Sequence, residues 1–340
     1  MSVTIQLRRG TASQWSTANP VLAVGEIGIV TDTLAYKIGD GVTAWNALAN
    51  RELTGVFDGA VTFTAFDAST EPSTPSAGQM LLYGKNTGGR LLPKFVGPSG
   101  VDSSLQPALW ANGIETWLPG ASTALSVVGT AAPTAVGTVS HPTIAAGSLR
   151  ASTRRAILTS AATANSASEL RAATVRCWRG DAAGLGGFFM TMRFGCSSAV
   201  AGQRVIAGLT SSTSATSTSQ SPSSLTSCVF VGNDAADANL QIMHNDASGA
   251  CTKVDLGASF PVPSSSNNAM YELILFAAPN AASIGWRVMR LDSPAVASGT
   301  ITTDLPPSTT FLAPHIYVNN NGVASAVILD FYRYYLESDY

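Results

Sequence analysis

Alternating apolar and polar residues recur through the C-terminal half of the chain and constrain its fold more than any other feature. In the run FFMTMRFG, which begins at Phe188, the apolar side chains at 188, 190, 192 and 194 share one face of an extended strand, whereas Thr191 and Arg193 lie on the other. Comparable runs, separated by Gly, Asn, Asp, Ser and Pro, occupy residues 170–178, 204–209, 228–231, 240–244, 271–276, 284–291, 315–318 and 326–336. Many short strands at this spacing predict a mainly β protein whose C-terminal part is an antiparallel β-sandwich or jelly roll.

The first 50 residues predict a small α+β module instead. Thr11 and Gln14 have the spacing of a capping box and Pro20 forbids continuation, so we expect a helix over 12–18. A hairpin is expected over 26–38. A unit of about 50 residues buries too little apolar surface to be securely stable alone, so we expect oligomerisation or docking to complete its core.

Three motifs within this module have fixed spacings: RRGTASQW at 8–15, GEIG at 25–28 and KIGDGVTAW at 37–45. Over residues 4–48 they resemble the N-terminal virion-attachment module of tail-fibre and receptor-binding proteins of tailed bacteriophages. The resemblance implies that this end mounts the protein on a virion. The side chains it assigns to virion docking are Arg8, Arg9, Trp15, Glu26, Asp40 and Trp45. By themselves, the motifs describe a stable small fold and identify no partner.

The middle of the chain divides into a linker and a β-rich neck. Residues 51–78 contain the sequence EPSTPS, whose prolines oppose regular sheet, so we expect a linker. Residues 79–120 open with a predicted hairpin and continue with GPSG, LQPALW and WLPG, which resemble a segment of phage and prophage fibres between the anchor and the distal domain. The resemblance implies a trimer-forming neck, while the residues alone allow an ordinary small β unit.

The predicted sandwich takes up the rest of the chain, so the expected domains are 1–50, 51–78, 79–120 and 121–340. The stretch after residue 120 is rich in small residues, yet β-branched runs indicate its first strands at 125–128, 134–139 and 155–158. The tract SSTSATSTSQSPSS at 211–224 cannot build a core and is expected to form a mobile surface loop.

The sequences GGFFMTMRFG, LQIMHNDASG, KVDLGASFP and YYLESDY resemble the C-terminal domain of a family of phage fibre and receptor-binding proteins, over about 170–340. That family has a concanavalin-like lectin sandwich, so the resemblance implies glycan binding. The candidate glycan-binding residues are His244, Asn245, Asp246, Asn319, Asn320 and Asn321. Asn and Asp in such runs are also common turn formers, and Trp286 on an alternating strand is expected in the core.

Charge and compartment signals disfavour several classes of function. Charged residues are 12% and the net charge is −2, without a clustered basic face, so we expect no nucleic-acid partner. The sequence has no signal-peptide pattern and no apolar run long enough to cross a bilayer, so we expect no membrane insertion. The cysteines at 177, 196, 228 and 251 form no CxxC pair and are expected to be reduced and buried, with no metal and no cofactor.

The sandwich sequence also lacks the pattern that catalysis would need. Glycan cleavage requires two carboxylates at a fixed separation, but Glu169, Glu272 and Glu337 form no array on one strand face. Asp330 alone makes no dyad. The three histidines have no nearby nucleophile in an elbow motif. We therefore expect no catalytic residues and no enzymatic activity.

The sequence thus favours a virion fibre protein that is assembled in the host cytoplasm, forms a homotrimer and becomes part of the virion. Its expected partners are other phage structural proteins of the tail, baseplate or capsid, and host surface polysaccharide. The alternative is a non-adhesive structural virion component, such as a head fibre, decoration or baseplate protein, because docking and adhesion use the same β edges and loops.

Overall fold

A computed structural model of the chain describes residues 7–33, 35–48, 65–66, 75–76, 79–96, 102–104, 113–120, 125–182, 185–198 and 200–338. The chain divides into two compact units, Met1–Phe63 and Thr64–Tyr340. Strands hold 45% of the residues and helices 6%, which confirms the mainly β class. Neither helix in the described part of the chain is long and apolar enough to span a lipid bilayer.

The N-terminal unit is the predicted α+β module. It contains β1 (Arg8–Gly10), α1 (Ala12–Ala18), β2 (Ile27–Val30), β3 (Tyr36–Ile38) and a 3₁₀ turn at Trp45–Ala47. Helix α1 has the predicted bounds, and the side chains of Thr11 and Gln14 each accept a hydrogen bond from the other's backbone N–H. Strand β1 was not predicted. It pairs in parallel with β2, which pairs antiparallel with β3.

Two stacked indoles form the core of this unit. The rings of Trp15 and Trp45 lie with their centroids 4.0 Å apart and their planes inclined by 12°. Both side chains are buried, together with Leu22 and Val30. A Cβ at Gly28 would lie 2.5 Å from the Trp45 ring, so the GEIG motif provides the space that the stacked indoles need.

Besides a 3₁₀ turn at Pro222–Ser224, the C-terminal unit contains twenty strands and one short α-helix among the described residues. In chain order these are β4 (Ala65–Phe66), β5 (Leu81–Thr87), β6 (Arg90–Val96), β7 (Asp102–Ser104), β8 (Gly113–Pro119), β9 (Leu125–Val128), β10 (Thr134–Val136), β11 (Thr138–Ser140), α2 (Leu149–Ser152), β12 (Ala156–Thr159), β13 (Ala167–Arg171), β14 (Phe188–Cys196), β15 (Arg204–Thr210), β16 (Cys228–Asn233), β17 (Gln241–Asn245), β18 (Thr252–Asp255), β19 (Met270–Ala277), β20 (Ile284–Arg290), β21 (Val296–Ile301), β22 (Ala313–Asn319) and β23 (Ile328–Ser338).

Two large sheets form the sandwich. One has seven strands in the order β10-β13-β22-β15-β16-β17-β18. The other has the order β11-β12-β23-β14-β19-β20-β21, with β8 paired to β23 and β9 paired to β8. All pairings within both sheets are antiparallel. The predicted antiparallel β-sandwich is therefore confirmed.

The core fills the space between the two sheets. The alternation in β14 is as predicted, because the side chains at 188, 190, 192 and 194 are at most 1% exposed and belong to this core. Trp286 also lies in the core, as expected. All four cysteines are buried, also as expected, and the Sγ atoms of Cys228 and Cys251 lie 3.6 Å apart.

A hairpin of β5 and β6 belongs to a third, four-stranded sheet, ordered β4-β5-β6-β7. Its turn contacts β19, because Cβ atoms built on Gly88 and Gly89 would meet Ile274 and Phe276. Strand β8, which the sequence assigns to the neck, pairs with β23 of the sandwich. The four predicted domains stay predictions, but residues 113–119 share a sheet with residues beyond 121.

Candidate functional site

The two N-terminal arginines lie on strand β1 and face solvent. Half of the Arg8 side chain is exposed, and its guanidinium lies 3.3 Å from Glu26 Oε1 and 5.3 Å from the centroid of Trp15. Arg9 is exposed as well. Glu26 also accepts a hydrogen bond of 2.8 Å from the backbone of Ala23, so it holds the turn before β2.

Three other docking candidates have internal partners. Trp15 donates from Nε1 to the Ile29 carbonyl at 2.9 Å, and Trp45 is covered by Trp15. Asp40 accepts hydrogen bonds from the backbones of Val42 and Thr43, which, with the Thr43 hydroxyl, lower the pKa of Asp40 to about 2. The module thus uses these side chains for its own stability, and all six docking assignments stay predictions.

The candidates at 244–246 lie at the end of β17. His244 Nδ1 is 2.9 Å from the Asp304 carbonyl, and the amide of Asn245 donates to the carbonyls of Ser248 and Ala250. Both side chains are buried, whereas Asp246 is partly exposed. This group therefore holds a turn together and presents mainly Asp246 to solvent.

The candidates at 319–321 lie at the end of β22. Asn319 donates to the Ser166 carbonyl, and Asn320 donates to the carbonyls of Thr163 and Ser325. Both are fully buried, and Asn321, which is partly exposed, has a left-handed backbone with a φ of 44°. These asparagines fasten the segment before β13 to the end of β22.

The structure does not bring the two groups together. In the seven-stranded sheet, Asn319 is the register partner of Arg204, at one end of β15. Asn245 is the partner of Cys228, which in turn is the partner of Thr210 at the other end of β15. Six residues of strand separate these two ends, which corresponds to about 20 Å. A single small sugar cannot contact both groups, and as glycan-binding candidates all six residues stay predictions.

A cavity of about 360 Å³ opens among the loops at the Asn319 end of the sandwich. Gln203, Asn233 and Asp237 contribute polar groups to its lining. Asn233 is 1% exposed, and its Oδ1 has no hydrogen-bond partner among the described residues. Asn321 lies beside this cavity, because a Cβ at Gly202 would be 2.8 Å from its Nδ2.

A larger groove of about 440 Å³ lies between the hairpin and the outer face of the nine-stranded sheet. Strands β6, β8, β14 and β23 line it. Arg90 reaches across from the hairpin and makes two hydrogen bonds, of 2.8 and 2.7 Å, to the carboxylate of Glu337. Its guanidinium also lies 4.9 Å from the centroid of Phe189. Sequence reasoning missed this site because its walls come from distant segments.

The outer face of the seven-stranded sheet is covered by the Ser/Thr-rich tract. Glu169 lies 2.8 Å from Arg171 and 3.1 Å from His315, and it accepts a hydrogen bond from the backbone of Thr216. Burial raises the pKa of Glu169, but hydrogen bonding and charge from His315 and Arg171 outweigh it and lower that pKa. Arg204 donates to the carbonyls of 218 and 220. The tract is a loop, as predicted, but the sheet anchors its backbone.

Several acidic side chains of the sandwich are paired with cations. Glu272 lies 2.9 Å from Arg193, Glu337 lies 2.7 Å from Arg90, and Asp330 lies between Arg150 and Arg155. Among the described residues, no three His, Cys, Asp or Glu side chains cluster as a metal site would need.

Residues 5–43 match the family model described as the major tropism determinant N-terminal domain. The N-terminal part of the resemblance drawn from RRGTASQW, GEIG and KIGDGVTAW is thereby confirmed. The match spans the helix, the three strands and most of the KIGDGVTAW motif. No curated protein matches the chain in sequence.

The solved structures similar to the chain include lectins and a phage protein. Peanut lectin is 13% identical, covers 67% of this chain and 98% of its own, and has a TM-score of 0.41. Arcelin-5, a lectin-like defence protein from Phaseolus vulgaris, is 7% identical, with coverages of 68% and 100% and a TM-score of 0.41. A carbohydrate esterase from the Shiga toxin-encoding bacteriophage phi24B is 18% identical, with coverages of 66% and 97% and a TM-score of 0.38. Similarity at this level says nothing about activity.

Proposed function

We propose that this chain is a virion fibre protein of a tailed bacteriophage, mounted by its N-terminal unit and binding host surface glycan through its C-terminal sandwich. The match of residues 5–43 to a tropism determinant domain carries the proposal. Tropism is the choice of host, and a fibre makes that choice by recognising the cell surface. The described part of the C-terminal unit includes a sandwich whose surface carries concavities of about 360 and 440 Å³, which supports a role in binding.

The pairing of the acidic side chains supports binding without cleavage. A glycosidase keeps one carboxyl group protonated and opposes it to a second carboxylate across a cleft. In the groove beside the hairpin, Glu337 is instead held by Arg90 in a two-hydrogen-bond ion pair. Both oxygens of this carboxylate accept from the guanidinium, so neither is presented across the groove as the general acid of a glycosidase would be. We therefore propose an adhesin rather than an enzyme.

The mounting step is tested on assembled particles. Phage carrying the full chain, purified and probed by immunogold microscopy, should show the protein on the virion. The double substitution Arg8→Ala, Arg9→Ala removes two exposed side chains, including the guanidinium that lies over Trp15, while both stacked indoles remain, and it should abolish incorporation. The control Arg154→Ala, at an exposed arginine of the other unit, should be incorporated normally. Absence of the unmodified chain from particles would contradict the proposal.

The adhesion step is tested with the purified full chain on an array of bacterial surface polysaccharides. We expect binding to a subset of them, without release of reducing ends during prolonged incubation. A folded chain that is present on virions but binds none of the host's polysaccharides would favour the non-adhesive structural alternative. Release of reducing ends would show instead that the protein is an enzyme.

A further inference from the structure

We propose that the groove between the hairpin and the nine-stranded sheet binds an acidic saccharide, one whose sugar carries a carboxylate. This inference rests on the proposed glycan-binding function and names the class of ligand and its place. The groove belongs to the face of the sheet that points away from the core. Its position is separate from the six residues that the sequence suggests.

The dimensions and walls of the groove suit a sugar. Its volume of about 440 Å³ falls within the range of small-molecule sites, roughly 300–1,000 Å³. Leu92 and Leu118 line opposite sides, and the rings of Phe189 and Tyr335 lie in the wall made by β14 and β23. Apolar walls of this kind contact the C–H faces of a pyranose, while its hydroxyls need hydrogen-bonding groups nearby.

Polar groups in the groove are left available for a ligand. Thr191 is 7% exposed, lines the groove, and its hydroxyl has no hydrogen-bond partner among the described residues. Nε of Arg333, in the same wall, is also buried without a described hydrogen-bond partner. Buried polar atoms are rarely left unpaired, so two of them beside one cavity indicate a place where a bound molecule or water completes the hydrogen bonding.

The charges on this face leave a positive excess. Arg193 and Arg333 are directly opposite each other on β14 and β23. Both approach the same carboxylate, Glu272, at 2.9 and 3.5 Å. Arg90 and Glu337 form a separate ion pair on the same face. Two guanidinium groups therefore share one anion, and like charges opposite each other destabilise a sheet.

A bound carboxylate would relieve this imbalance. Burial and the charge of Arg193 lower the pKa of Arg333, although Glu272 acts in the opposite direction. A second anion beside Arg333 would favour its charged form and could accept from its planar guanidinium in a forked geometry. An acidic sugar supplies this anion together with hydroxyls for Thr191 and C–H faces for the rings, which a simple inorganic anion does not.

The experiment uses the full chain on an array of oligosaccharides that contain uronic acids, the same oligosaccharides with their carboxylates methyl-esterified, and neutral oligosaccharides. We expect signals from the acidic sugars and at least tenfold weaker binding of their esters. Arg333→Gln should weaken binding at least tenfold. It should not lower the melting temperature, because Glu272 retains its ion pair with Arg193. Thr191→Val should weaken it about threefold. The control Arg154→Gln, at an exposed arginine remote in sequence, should bind normally.

Other results would contradict the ligand class, the location of the site, the role of Arg333 or the proposed function. Signals from neutral sugars alone would overturn the acidic class but leave the proposed function standing. If neither Arg333→Gln nor Thr191→Val weakens the binding of acidic oligosaccharides, the site lies elsewhere on the protein. Equal binding of the acidic sugars and their methyl esters would show that the Arg333 guanidinium does not recognise the carboxylate. A folded chain that binds no oligosaccharide on the array and no host polysaccharide would contradict the proposed function itself.

Discussion

Asp330 is the most deeply buried ion-pair partner in the sandwich. It is 0% exposed on β23, and its two carboxylate oxygens lie 3.3 Å from Arg150 and 3.3 Å from Arg155. Ser197 also donates its hydroxyl hydrogen to this carboxylate. Arg150 lies in the short helix α2 and Arg155 precedes β12, so a single carboxylate fastens the segment before β12 to the last strand. Asp330, which forms no carboxylate dyad, therefore has a structural role.

Replacing this carboxylate should destabilise the protein strongly. Asp330→Asn preserves the shape of the side chain but leaves two partly buried guanidinium groups without their buried anion. Breaking a buried ion pair from one side costs about 3–5 kcal/mol of unfolding free energy. Urea titration of the full chain, followed by near-ultraviolet circular dichroism, measures this loss.

The matched control for this substitution is Asp292→Asn. Asp292 forms an ion pair of 2.9 Å with Arg290 near the surface, and an exposed pair contributes at most about 1 kcal/mol. If both variants lose the same small amount, the buried pair is no stronger than the surface one, and our interpretation of Asp330 is wrong.

At the scale of elements, the tract 211–224 shows how a polar loop can be fixed without a core of its own. Its backbone is held by the side chains of Glu169 and Arg171 of β13 and Arg204 of β15. His315 of β22 contacts the hydroxyl of Thr216 in the same tract. Composition correctly predicts that this tract cannot form a hydrophobic core. It cannot show that the neighbouring sheet supplies partners, because those strands are distant in the sequence.

The anchoring of this tract should depend on pH through Glu169. The pKa of this carboxyl group lies below its ordinary value of 4.5, so its stabilising effect is fully present above that value and is lost as the pH falls through the lower, folded value. Glu169→Gln should therefore destabilise the chain at pH 7 by about 1.5–3 kcal/mol, the range for hydrogen bonds to charged groups. The difference from the unmodified chain should shrink below pH 4.5.

Thermal unfolding of both proteins between pH 3 and pH 8 measures this difference. Asp181→Asn serves as the control, because Asp181 is exposed and its loss should change little at any pH. A stability difference that stays constant over the acidic range would show that Glu169 acts through packing rather than through its charge.

Local signals made the elements predictable, whereas the sites depend on pairing between distant strands. Helix α1 follows from Thr11, Gln14 and Pro20 within ten residues of sequence, and strand β14 follows from its own alternation. The distance between Asn245 and Asn319 depends instead on the order of strands in the seven-stranded sheet. The groove joins Arg90 to Glu337 across 247 positions of sequence, and no local pattern predicts that contact.

At the scale of the whole molecule, the hairpin has two different faces. Arg90 and Leu92 point into the groove, whereas Leu82 and Leu91 alternate to the opposite side and are 43% and 53% exposed. Met80, just before the hairpin, is 65% exposed. Exposed apolar side chains that share one face of a strand pair favour an interface there. The neck resemblance suggests that further copies of the chain cover them.

We therefore predict that the full chain forms a trimer through this face of the hairpin. Mass photometry at micromolar concentration should give three times the 35.0 kDa of one chain. The double substitution Leu82→Asn, Leu91→Asn should shift the mass to that of one chain while the circular dichroism spectrum stays the same, since neither side chain is buried. Val296→Thr, at a 44% exposed position on β21, should leave the trimer intact. An unmodified chain that is monomeric at micromolar concentration would refute the prediction, and a double variant that stays trimeric would place the interface elsewhere.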